Sequence, residues 1–66
     1  GRTAHDLLTA DRKLEVDAVR LYREALAHAV RMRDSDSAAL LESILGDELA
    51  HVQEIDGLMA QRNGND

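Results

Sequence analysis

Apolar residues recur at helical spacing from about Ala4 to Arg33, where Leu7, Leu8, Leu14, Ala18, Leu21, Tyr22, Ala25, Ala29 and Met32 fall with no Gly or Pro between them. The opposite side collects Asp6, Lys13, Asp17, Arg20, Glu24 and Arg31, the composition of a solvated face. One long helix over about 4–33 is predicted. Val16, Val19, Leu26 and Val30 widen its apolar surface beyond what a single neighbouring helix covers. Asp34-Ser35-Asp36-Ser37 supplies a turn over 34–37, and Ser35, Asp36 or Ser37 is expected to cap a second helix over about 37–61. Arg62-Asn63-Gly64-Asn65-Asp66 reads as a stop signal with a frayed tail over 62–66. A connection this short between two long helices predicts an antiparallel hairpin.

Two helices cannot enclose a core, and 66 residues without Trp, Phe or Pro make a marginal monomer. The expectation is an all-α single domain whose hairpins pair as an isologous homodimer, giving a four-helix bundle. Gly46 and Gly57 interrupt the second helix on its back face, where close approach of another subunit or simple tolerance would explain them.

Composition narrows the chemistry. No cysteine is present, which removes disulfides, thiolate metal sites and cysteine catalysis. The net charge of −5 is uneven, since residues 1–33 carry 7 basic and 5 acidic side chains and residues 34–66 carry 1 and 8. That balance does not favour nucleic acid as a partner. No apolar run approaches membrane-spanning length and no signal-peptide core follows Gly1, so a soluble, cytoplasmic chain is expected. Its start without Met leaves processing, excision from a longer protein and a fusion remnant all open.

The periodicity has two anomalies. At 100° per residue, Leu41, Ile44, Val52, Ile55 and Met59 lie within about 40° of Glu48, with His51 close by. Likewise Ala4, Leu8, Val19, Tyr22, Leu26 and Ala29 lie within about 40° of Glu15. A Glu-x-x-His step alone is weak, because roughly 0.2 such pairs arise by chance from this composition. Its place mid-stripe gives it weight, for a carboxylate there must be protonated, paired or bound to metal. A dimer would direct four Glu and two His inward, the ligand set of carboxylate-bridged di-metal bundles. Four carboxylates balance two divalent ions in charge. Oxygen and imidazole donors suit iron or manganese, with zinc also able to bind. The competing reading is a protonated or salt-bridged buried network.

Leu14-Glu15-Val16-Asp17-Ala18, Arg23-Glu24-Ala25 and Ile44-Leu45-Gly46-Asp47-Glu48-Leu49-Ala50-His51 together resemble the C-terminal helix pair of the bacterioferritins, in the ferritin-like superfamily, over about residues 7–59. The resemblance implies that Glu48 is a bridging carboxylate, His51 a terminal ligand and Glu15 a terminal carboxylate of a di-iron centre. It implies that iron(II) is oxidised there by dioxygen or peroxide. Tyr22, two turns beyond Glu15, resembles the site tyrosine that the family carries on its first helix. One hairpin replaces the family's two, and there is no fifth helix, so neither the cage nor bulk mineral storage is implied. Leu49, directly after Glu48, stands at the position matching the family's haem-ligand Met, which directly follows a Glu of the other helix pair, and this argues against haem.

The expected activity is therefore a di-iron ferroxidase with a role in iron handling or storage, its centre shared across a homodimer. A peroxide-consuming protective protein keeps the same site. A metal-stapled or metal-free assembly module is the non-enzymatic alternative. Asp47 is read as solvated or as orienting a ligand, Glu24 with His28 as a weaker pair at ligand spacing, His5 as lying near a frayed end, and Met32 and Met59 as core fillers.

Overall fold

The computed structural model describes residues 2–64, with side chains through Gln61, and contains two helices, α1 (Ala4–Arg31) and α2 (Ser35–Gly64). They fold back on each other as the all-α hairpin that the apolar pattern predicts. Helix α1 begins in a capping box. The Thr3 hydroxyl accepts from the Asp6 N–H and the Asp6 carboxylate accepts from the Thr3 N–H, each at 3.1 Å, so the first turn satisfies its own exposed donors.

The turn is tighter than the polar run suggested. Arg33 takes the left-handed conformation at φ 57°, and its N–H donates to the Val30 carbonyl at 3.1 Å. The Asp34 N–H reaches the Ala29 carbonyl at 2.9 Å, which completes a Schellman closure of α1. Asp34 also opens α2, because its carboxylate accepts from the Ser37 N–H at 3.1 Å and from the Ser37 hydroxyl. Its carbonyl accepts from the Ala38 N–H at 3.0 Å. The cap is thus Asp34, not Ser35, Asp36 or Ser37, and the connection contracts to 32–34. Hydrogen bonds from the Ser37 hydroxyl, then its N–H, hold the Asp34 carboxyl below its ordinary range. Helix α2 continues to Gly64, past the expected stop at 61, while Asn65 and Asp66 lie outside the described residues.

Val19, Ala29 and Ile55 are buried between the helices. Near the open end, the Arg12 guanidinium donates to both carboxylate oxygens of Asp56 and, chiefly through that hydrogen bond, holds the Asp56 carboxyl low. Both side chains are nearly half exposed, so the pair fixes register more than it adds stability. No helix among the described residues is long and apolar enough to cross a membrane.

The hairpin leaves much apolar surface in water. Its extents are 50 × 20 × 12 Å and its radius of gyration is 15.2 Å. A compact chain of this length would have a radius of about 11 Å. Its accessible surface is 5069 Å², where a compact monomer of this mass would expose about 4,200 Å². Leu7, Leu14, Leu21, Met32, Leu40 and Leu58 are among the exposed large side chains, and no large side chain is fully buried among the described residues.

Glycine and the left-handed turn are therefore misplaced relative to each other. Gly46 sits in regular helix with nothing within 4 Å of where a Cβ would lie, whereas Arg33 carries the positive φ. Gly46→Ala should raise stability by about 0.5–1 kcal/mol through the unfolded chain's lost freedom. Arg33→Gly should raise it by about 1 kcal/mol by relieving the left-handed penalty. Urea unfolding checks both: a drop in midpoint for Gly46→Ala would contradict the open space at that position, and one for Arg33→Gly would contradict the turn geometry.

Candidate metal centre

Helical spacing puts Glu48 and His51 on neighbouring positions of α2, and hairpin packing brings Glu15 of α1 opposite them. One carboxylate oxygen from each Glu and one ring nitrogen of His51 all lie within 4.8 Å of one another. It is the one group of three or more such side chains among the described residues. The three residues singled out by periodicity and spacing are thus brought together across 33 positions of sequence, from Glu15 to Glu48.

The electrostatics of this cluster are unusual for a structural network. Oε2 of Glu15 and Oε2 of Glu48 are buried, and neither has a hydrogen-bond partner among the described residues. His51 Nδ1 lies 3.4 Å from Glu15 Oε2 without directing a hydrogen bond at it. A buried carboxylate oxygen lacking a donor costs free energy on the order of 1–3 kcal/mol, more when charged. A salt-bridged network would have supplied donors, and among the described residues the basic group found next to these oxygens is the His51 imidazole, at 3.4 Å and without a hydrogen bond. A cation placed between the three atoms would satisfy every one of them. Two oxygens and one nitrogen from a hairpin also leave coordination positions open, as iron, manganese and zinc sites in oxygen and imidazole surroundings do.

Exposure within the cluster is graded. Glu15 is 24% exposed and His51 is 51% exposed, so the site lies at the edge of the hairpin rather than inside it. Arg12, one turn before Glu15, could have supplied a donor, but it is committed to Asp56.

The remaining candidates stand apart. Tyr22 is half-buried on the Glu15 side of α1, and among the described residues no hydrogen bond joins its hydroxyl to the cluster. Asp47, Glu24, His28 and His5 are exposed, and none joins a three-ligand group among the described residues. Met59 is half-buried, in keeping with a filler, while Met32 is 66% exposed at the turn and fills no core in the hairpin. The Arg12–Asp56 pair escaped the sequence reading, because nothing local marks which of several arginines meets which of several aspartates 44 residues away.

Comparison of the chain with protein-family models, with curated proteins and with solved structures gives no match.

A bound ion should stabilise the fold. If free metal is held at about 100 times its dissociation constant, the gain should be about 2.7 kcal/mol. Thermal unfolding with manganese(II) or zinc(II) against chelator should show that rise in the wild type and little of it in Glu48→Ala. An equal rise in both would place binding elsewhere.

Proposed function

We propose that the chain is a di-iron ferroxidase, oxidising iron(II) at a centre shared by two copies, with a role in iron handling and a cytoplasmic setting. One observation carries this reading: a carboxylate oxygen of Glu15, one of Glu48 and a ring nitrogen of His51 lie within 4.8 Å of one another, and each Glu keeps a buried oxygen with no hydrogen-bond partner among the described residues. In each hairpin Glu15 and Glu48 contribute two negative charges, which one iron(II) neutralises. Two copies pool four carboxylates and two imidazoles around two ions, the donor set of carboxylate bundle sites.

The bound ions supply the electrons, one each, and the oxidant takes both. With dioxygen, two protons are consumed and hydrogen peroxide is released; with peroxide, two protons are consumed and two waters form. The protein's own part is geometric and electrostatic. Glu48 lies mid-stripe, where the resemblance assigns a bridging carboxylate. Glu15 and His51 hold the ends, and their carboxylate and neutral imidazole donors favour the higher ferric charge. Exposure of His51 in the lone hairpin leaves a side from which iron(II) reaches the ligands before a second copy docks. Tyr22 is assigned a supporting place beside Glu15, at about 20° from it around the helix. Haem has no part in this reading.

The exposed apolar side of the hairpin also fits an assembly module that needs no iron. Retained association without iron turnover would be its signature. Anaerobic iron(II) titration followed by admission of air separates the readings. Saturation near one iron per chain and rapid growth of ferric absorbance are expected for the wild type, with both lost in Glu48→Ala. Binding indifferent to that substitution would sink the ferroxidase reading. Comparing oxidation rates under dioxygen and under hydrogen peroxide then identifies the preferred oxidant.

A further inference from the structure

One apolar pattern on α1 is used neither by the hairpin core nor by the metal cluster. Leu7, Leu14 and Leu21 repeat at seven-residue intervals and are 52%, 66% and 66% exposed. His28 continues that row, and Asp11, Ala18, Ala25 and Met32 form the alternate row four residues on. Together the eight positions make an unbroken heptad seam over the length of α1. At 100° per residue the seam lies roughly 90° around α1 from Glu15, on the side away from Arg12. Leu40, His51 and Leu58 of α2 fall about 60–80° from Glu48 on the same side of the hairpin. The exposed edge of the metal cluster and the exposed seam therefore open in one direction.

Reversed against itself, the seam is self-complementary. Set antiparallel about the midpoint between Val19 and Arg20, it opposes Leu7 to the partner's Met32, Leu14 to the partner's Ala25 and Ala18 to the partner's Leu21. Asp11, the one acidic seam residue, then meets the partner's His28, the one imidazole. Every apolar layer but the outermost sets a large side chain against alanine, which permits helix axes to approach to about 8 Å. Sliding by one heptad either way parts Asp11 from His28 and leaves His28 facing an alanine. The surface excess of the hairpin over a compact monomer, roughly 900 Å², matches the ~800 Å² that each partner of a stable complex buries.

We propose that a second copy of this chain docks on α1 through this antiparallel Leu7–Met32 seam, with two symmetric Asp11–His28 pairs setting its register. The proposal deepens the shared-centre reading and rests on it for the purpose of the dimer, while the seam itself stands on separate residues. The dyad crosses α1 about 7 Å along the axis from Glu15, so the two half-sites lie on either side of one axis. His51, half exposed in the hairpin, would be covered by the same docking.

Because the chain has no cysteine, introduced thiols report contacts without background. Leu14→Cys with Ala25→Cys places thiols too far apart to close within one helix, roughly 16 Å along it. Mild oxidation of the full, metal-free chain should convert that variant to covalent dimer. Lys13→Cys with Glu24→Cys has the same spacing on the charged face and should not cross-link. In sedimentation at pH 6, Asp11→His or His28→Asp alone should raise the dimer dissociation constant roughly tenfold. The double exchange should restore it, with circular dichroism showing all variants helical. Cross-linking no better than the charged-face control, or a double exchange as weak as either single one, would overturn the seam. If thiols on the seam cross-link but iron is not oxidised, the seam stands and the ferroxidase reading falls. Iron oxidation by a dimer that shows no seam preference does the reverse.

Discussion

Everything in this hairpin answers to a conflict at one point: two carboxylates face the apolar side of their helices, and among the described residues nothing donates to their inner oxygens. A folded protein ordinarily removes such a conflict by pairing or by substitution, since burial of an unpaired charge is among the most expensive arrangements available to it. Here the guanidinium of Arg12, one turn from Glu15 along α1, is drawn to Asp56. The His51 imidazole presents a nitrogen at 3.4 Å without a hydrogen bond. The two remaining ways out are protonation and a cation, and three converging lone-pair atoms favour the cation. The same arrangement explains why an acidic second helix is tolerated beside a first helix with a positive balance.

The fold was largely legible because it is written in periodicity. A stretch of almost thirty residues without Gly or Pro, a polar run and a second periodic stretch leave few alternatives to two helices folded back on one another. The site was legible for a related reason: Glu15 and Glu48 are half-buried violations of an otherwise regular pattern, and violations of this kind are where function is usually held. The turn was less legible. Asp34 closes α1 with its N–H and opens α2 with its carboxylate, and a residue serving two helices shortens the connection below any single-cap reading. Arg33 in the left-handed conformation carries no sequence mark at all, since glycine or asparagine is the usual resident.

The seam on α1 illustrates a different limit. On a helical wheel its leucines merge with the stripe around Glu15 into one broad apolar face, because 3.6 and 3.5 residues per turn differ little over four turns. Packing separates them. Val19 and Ala29 are buried by α2, whereas Leu21, two residues from Val19, and Leu14, five residues from it, stay two-thirds exposed. Width of an apolar face thus predicts that something further is covered, and only the positions of the helices decide which part of the face the hairpin itself consumes.

Separation of these two faces bears on how such a site would work. If the ligands and the association surface were the same residues, any change tuning the metal would also disturb assembly. With Glu15, Glu48 and His51 on the inner stripe and Leu7, Leu14 and Leu21 beside it, the donors can meet the needs of an ion while the leucines meet those of a neighbour. The link between them is His51, which lies at the border and is half in water. Covering that border would lower the local dielectric around the carboxylates and strengthen their hold on a cation. Filling the centre would in turn remove the repulsion that two facing pairs of carboxylates impose on the approach of a second hairpin. Metal and partner would then each favour the other by the same free energy, as linkage requires.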